Sequence, residues 1–111
     1  MLVLRIVLVV HLVALSVYTA IVIGNHGLDL LPVFFGDIAA MGWPGQFNFD
    51  FLGFLVLAAL WTAWRNNFSA LGLLLAAVSF FGGMAFLSTY LLILSLSARD
   101  IPDLLLGRAA R

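Results

Sequence analysis

Five arginines, five aspartates and two histidines supply nearly all the titratable chemistry of this 111-residue sequence, which has no cysteine. His26, Asp29, Asp37 and Asp50 follow one another between two apolar stretches. Imidazole and carboxylate together could ligate a divalent metal or relay a proton, and His26 and Asp29 are near enough in sequence to share a local site. Their spacing matches no compact metal motif, so no metal ligand is assigned, and a polar loop between helices is the simpler reading. Asp50 is the most informative of the four. A carboxylate at the centre of a bilayer is expensive and usually functional, whereas one in the first turn of a membrane helix faces headgroup water and is favoured by the positive helix end. Asp50, His26, Asp29 and Asp37 therefore form the candidate polar site.

His11 lies about a third of the way into the first apolar stretch. A neutral imidazole there can bond a hydroxyl or carbonyl of a neighbouring helix. Axial ligation of haem or bacteriochlorophyll also needs a histidine in a membrane helix, but one histidine without a motif favours interhelical contact. No glycine-rich nucleotide loop, metalloprotease helix or Ser/His/Asp order is present, so no catalytic residue is assigned and an independent enzyme is not expected.

The elements that must position these residues follow from composition. With 65% hydrophobic and 9% charged residues, against about 25% charged in a soluble domain, the chain is solvated by lipid. Zero net charge provides no field for nucleic acid, which is excluded as a partner. The first segment, about 2–23, reaches about 33 Å as a helix, enough to cross a core of about 30 Å. It reads as a membrane helix rather than a secretory signal, because Gly24-Asn25-His26-Gly27 offers no small-x-small cleavage site.

The connection holds an interfacial segment, about 28–42, with Asp29 and Asp37 loosely on one face and Phe34, Phe35 and Ile38 offering apolar contacts. Gly42-Trp43-Pro44-Gly45 reads as a turn at headgroup depth, and the second helix as about 47–64, with Trp43, Trp61, Trp64 and Arg65 as interface anchors. Asn66-Asn67 is a tight turn. The third helix, about 68–96, is overlong for a straight span, which calls for tilt, a bend at Gly82-Gly83 or a water-exposed last turn; either half alone is too short to cross. A short interfacial tail follows at 101–106, closed by Gly107.

The fold class is thus an all-α membrane protein, one domain over 1–111, with three transmembrane helices and an interfacial helix between the first and second. Three spans place Arg5 and Arg65 on one side and Arg99, Arg108 and Arg111 on the other, so the positive-inside rule barely favours an inside C-terminus. A fourth crossing through Leu28–Gly45 would gather four of the five arginines on one side, at the cost of submerging Asp37 and Pro32 in lipid. Gly72, Ala76, Ser79 and Gly83 recur at helical spacing and predict a close-packing face, within the monomer or between subunits. Ten phenylalanines serve for packing; no motif among them holds a lipid, quinone or carotenoid, and no cofactor is expected.

Gly36-Asp37, Asn48-x-Asp50-x-x-Gly53-Phe54, Leu60-Trp61-x-Ala63-Trp64-Arg65, Gly82-Gly83 and Tyr90-Leu91-Leu92 together resemble a family of short bacterial integral membrane proteins known only as a domain of unknown function. The resemblance runs from about Ile6 to Leu96. It implies a three-span protein of the bacterial cytoplasmic membrane, with an aspartate entering the second helix and an arginine leaving it, here Asp50 and Arg65, and it implies no established activity. Two functions fit. One is an accessory or structural subunit that associates with itself or another membrane protein through lateral helix surfaces, with membrane lipids around it. The other is lipid or small-solute handling at a polar site near Asp50.

Overall fold

The computed structural model describes residues 1–107, which form five helices; Arg108 and Arg111 lie outside the described residues. Three of these helices are long and apolar enough to cross a membrane: α1 (Leu2–His26), α3 (Trp43–Arg65) and α4 (Ala70–Ser95). Between the first two sits the shorter α2 (Leu30–Ala39), and α5 (Ile101–Leu106) is the last helix among the described residues. In lipid the backbone must bond to itself, which is why the valine- and isoleucine-rich first segment is a helix and not a strand. At about 15 Å, α2 is too short for a crossing, which disposes of the four-span alternative.

Caps and breakers set the boundaries. Gly27, at φ 74°, ends α1 by donating its N–H to Ile23 O. Ser69 caps α4 by accepting from Gly72 N, and Asp100 caps α5 by accepting from Asp103 N. The tight Asn66-Asn67 turn is present, with Asn67 at φ 56° and Phe68 at φ 53°. The first helix runs three residues further than the sequence reading and α2 is shorter than the segment 28–42 at both ends, but the largest difference is at the start of the second helix. Pro44 does not break the chain in a turn but sits in the first turn of α3, after Gly42 as N-cap. Proline is preorganised for that position, where its missing N–H has no helical partner to lose. The second helix therefore begins at Trp43 instead of Phe47.

The overlong third helix resolves its length by the bend at Gly82-Gly83, and the bend is a reversal. Gly83 takes φ 57°, ψ −139° inside α4. Asn66, one turn from the start of α4, donates through its side chain to the hydroxyl of Tyr90 at 2.9 Å, although a straight helix would carry Tyr90 about 30 Å away from Ala70. Midway along α3, about 15–20 Å from Arg65, the Gly83 backbone lies against Phe51 and Leu55. The first arm of α4, 70–82, therefore climbs antiparallel to α3, and the second, 84–95, returns parallel to it. The arms reach about 20 and 18 Å. The expected separation of Arg99 from Arg5 and Arg65 is overturned: Arg5 donates to the hydroxyl and carbonyl of Ser95, at 3.1 and 2.6 Å.

The burial pattern of α1 records the height of this hairpin. Leu4, Arg5, Leu8, Leu12 and Leu15 are buried or half-buried along one stripe, whereas every residue from Ser16 to His26 is exposed. With Arg5 level with Ser95, the second arm ends about 18 Å higher, opposite Val17. Packing on α1 stops where its partner stops.

Helix α2 packs on α3. Asn48 donates from its side-chain amide to Phe34 O at 3.1 Å, and Gly45 meets the backbone of α2 so closely that a Cβ there would collide with the Asp37 carbonyl and lie 2.8 Å from Ile38 Cα. Gly45→Ala is accordingly expected to lift α2 from α3, with a loss of about 1–3 kcal/mol, the usual range for overpacking. Hydrogen exchange should show amides 30–39 losing protection while α4 keeps its own; unchanged protection of α2 would show that the contact is dispensable.

Candidate functional site

The densest polar constellation lies at the arginine end of the bundle, where the C-terminal ends of α3 and α4 meet α5. Helix C-termini leave carbonyls without helical partners, and here α3 side chains take up those of α5. Arg65 Nε donates to Leu104 O at 2.7 Å, and Trp61 Nε1, one turn earlier, donates to Leu105 O at 3.0 Å. Gly107, at φ 72°, brings the chain back over the Arg65 side chain. Asn66 spans the junction, donating both to Thr62 O at 2.8 Å and to the Tyr90 hydroxyl. Asp103 is buried, and its carboxylate accepts from Arg99 N at 3.0 Å, with the Arg99 side chain 3.9 Å away.

Two clefts flank α5. A polar one of ≈370 Å³ is lined by Arg65, Asn66, Asn67, Ser97 and Asp103. An apolar one of ≈430 Å³ runs up between α3 and the second arm of α4, lined by Phe51, Phe54, Ala58, Trp61, Leu87 and Leu91 among others. Both clefts are open at one side. The polar cleft sets the Arg65 guanidinium and amide groups beside the Asp103 carboxylate, a lining of mixed charge; the apolar cleft suits a hydrocarbon chain.

The residues singled out from the sequence are distributed differently. His26 ends α1, Asp29 occupies the N-cap position of α2 without a side-chain cap bond, Asp37 is half-buried on α2, and Asp50 is exposed on α3. None of these four side chains makes a hydrogen bond or ion pair among the described residues, and no group of three metal-ligating side chains converges there. Because α3 starts at Trp43, Asp50 falls in its second turn, about 10 Å along the helix, and loses the first-turn benefit of the helix end. His11 is exposed on α1 without a hydrogen-bond partner among the described residues.

The small-residue strip lies within the hairpin. Gly72 and Ser79 are buried, Ala76 is half-buried, and a Cβ on Gly72 would come within 2.6 Å of Asn66 Cβ. Ser79 and Ser88, one on each arm, are fully buried, and neither hydroxyl has a hydrogen bond within the protein. Trp61, Trp64 and Arg65 stand at the arginine end and Trp43 at the opposite end of α3. Sequence reasoning missed the ties of Arg5 to Ser95, Asn66 to Tyr90 and Arg65 to Leu104. The available signal was an arginine early in the first span and polar Asn and Tyr beside apolar runs, but their partners lie 90, 24 and 39 positions away.

These features define a multi-pass helical membrane protein whose helices pack laterally. No protein-family model matches the chain, and neither the curated proteins nor the solved structures provide a match.

Proposed function

We propose that the protein is a small accessory or structural subunit of the bacterial cytoplasmic membrane, a member of the family of short membrane proteins that its motifs resemble, and that it associates laterally with copies of itself or with another membrane protein. The observation that carries this reading is the outward placement of His11 and Asp50. Both lie inside long apolar helices, both are exposed, and neither has a partner among the described residues. Exposed leucine and valine need no explanation in lipid, because hydrocarbon tails are as apolar as they are. An ionisable side chain facing lipid does need one: the cost of an aspartate rises to about 2.5–3.5 kcal/mol at the helix centre on insertion scales, and Asp50, in the second turn of α3, bears part of it. A neighbouring helix that supplies a hydrogen-bond partner removes that cost.

Asp50→Leu and His11→Leu are expected to preserve helicity and shift the assembly in native nanodiscs toward the mass of the single chain, each bond contributing about 1 kcal/mol. Native mass spectrometry of the unsubstituted protein and both variants reads the result. An assembly mass identical in all three would remove the basis of the proposal and leave solute or lipid handling near Asp50 as the better reading.

A further inference from the structure

We propose that α1 is one half of a parallel two-helix seam, completed by α1 of a second copy of this chain and held by hydrogen bonds between like residues at His11, Tyr18 and Asn25. The seam rests on the reading of lateral association and gives it a surface and a partner. Helix α1 has 25 residues, with Ala14 at its midpoint. His11 and Tyr18 stand within about 6 Å of that midpoint along the axis, so both lie at hydrocarbon depth. Tyr18 is 71% exposed, whereas tyrosine in membrane helices favours the water interface, where its hydroxyl is solvated. Neither these two side chains nor that of Asn25 makes a hydrogen bond or ring contact among the described residues. Serine and threonine in a span can bond a carbonyl of their own helix one turn back, as Thr62 and Thr89 do. A phenol hydroxyl stands too far from its own backbone for that.

Spacing puts the three on one line. From His11 to Tyr18 and from Tyr18 to Asn25 the step is seven residues, just short of two turns, so each falls within about 20° of the last. Val7, Ala14 and Ile21 repeat at the same interval between them, which completes the alternating pattern of a two-helix seam. All six are exposed. Their face is turned by about 100° from Leu8, Leu12 and Leu15, the stripe that packs on α4, so α1 can hold α4 and a second helix at once. Ala14, between the two deepest polar layers, lets the backbones come close.

Hydrogen-bonding chemistry selects the occupant. Copies of one chain enter the membrane in one orientation, and a two-fold axis along the membrane normal sets each residue of the seam opposite its own copy at the same depth. Pairing with an identical residue needs a donor and an acceptor in one side chain. Neutral imidazole, phenol and carboxamide each have both; carboxylate and guanidinium do not, and neither type stands on this face of α1. The face is therefore complementary to itself, and its polar layers also fix the register of the two helices.

The chain has no cysteine, so single cysteines can be placed on α1 of the full chain and oxidised in native membranes. Val7→Cys, Ala14→Cys and Ile21→Cys should each give a covalent dimer of twice the chain mass. Val13→Cys should give none, although Val13 is as exposed as Val7, at 57%. With the Ala14→Cys chain as background, His11→Leu and Tyr18→Phe should each lower the dimer yield about threefold, the factor that one interhelical hydrogen bond contributes. His11→Gln, which keeps a donor and an acceptor, should restore most of the yield lost in His11→Leu. Equal cross-linking at positions 13 and 14 would overturn the seam. So would a yield that is unchanged when His11→Leu and Tyr18→Phe are combined, or a cross-linked product of any mass other than twice the chain. Native mass spectrometry of the unsubstituted protein separates this failure from that of lateral association: an assembly that never cross-links at 7, 14 or 21 meets on another face, whereas the mass of a single chain removes both.

Discussion

Replacing Gly83 by valine is expected to destroy the α4 hairpin. At φ 57°, ψ −139° the backbone occupies a region essentially confined to glycine, and forcing another residue there costs about 1–3 kcal/mol, more for a β-branched one. Space is not the obstacle, because a Cβ at this position would stand 3.5 Å from Phe51 Cζ, an ordinary contact. The penalty is conformational, and straightening α4 relieves it at the expense of every contact made by the second arm. Spin labels at Asn67 and Leu94, which line the same cleft, should report a short separation in the unsubstituted protein. In the Gly83→Val variant the separation should lengthen toward about 35 Å, the reach of an unbroken helix. Gly53→Ala is the control, since a Cβ there meets nothing within 4 Å. An unchanged label separation and melting temperature in Gly83→Val would show that the reversal does not depend on glycine.

The second large effect is topological and is all or none. Single cysteines placed at Leu2, Asn67 and Ser97 should label from one side of sealed vesicles, and cysteines at Gly27 and Met41 from the other. A straight third span would put Ser97 with Gly27 instead. The hairpin also gathers the charges: Arg5, Arg65 and Arg99 share one end, and no lysine or arginine among the described residues stands at the other. The expectation from the positive-inside rule is that the arginine end faces the cytoplasm. Labelling of Ser97 from the side of Gly27 would refute the reversal, and labelling of Asn67 from outside intact cells would refute the orientation.

Much of this architecture is legible in the sequence, and the rest is lost for identifiable reasons. Composition alone places the chain in lipid, and the long apolar runs, the Asn66-Asn67 turn, the α5 tail and the need for a bend at Gly82-Gly83 follow from length and residue type. The angle of that bend does not. Two adjacent glycines allow any deflection, and the reversal is held by ties such as Arg5 to Ser95 that no local pattern announces. The boundary of α3 is a second case. Proline is both a helix breaker and a first-turn residue, and taking Pro44 as the former moves the helix start by four residues, which is enough to place Asp50 in the wrong turn. The polar cleft is the third, because Asp103 and Arg65 are brought together by α5, whose position depends on the hairpin having returned.

Because the two ends of α4 lie at the same end of the bundle, the order of events during synthesis is constrained. Within residues 1–107, the stretch between α1 and α3, with α2 inside it, is the part that has to be carried across the membrane. The arms of α4, about 20 and 18 Å long, are each too short to span the bilayer, so they are expected to enter as a pair, against α3. A reporter fused after Gly107 should therefore never leave the compartment in which the chain is made.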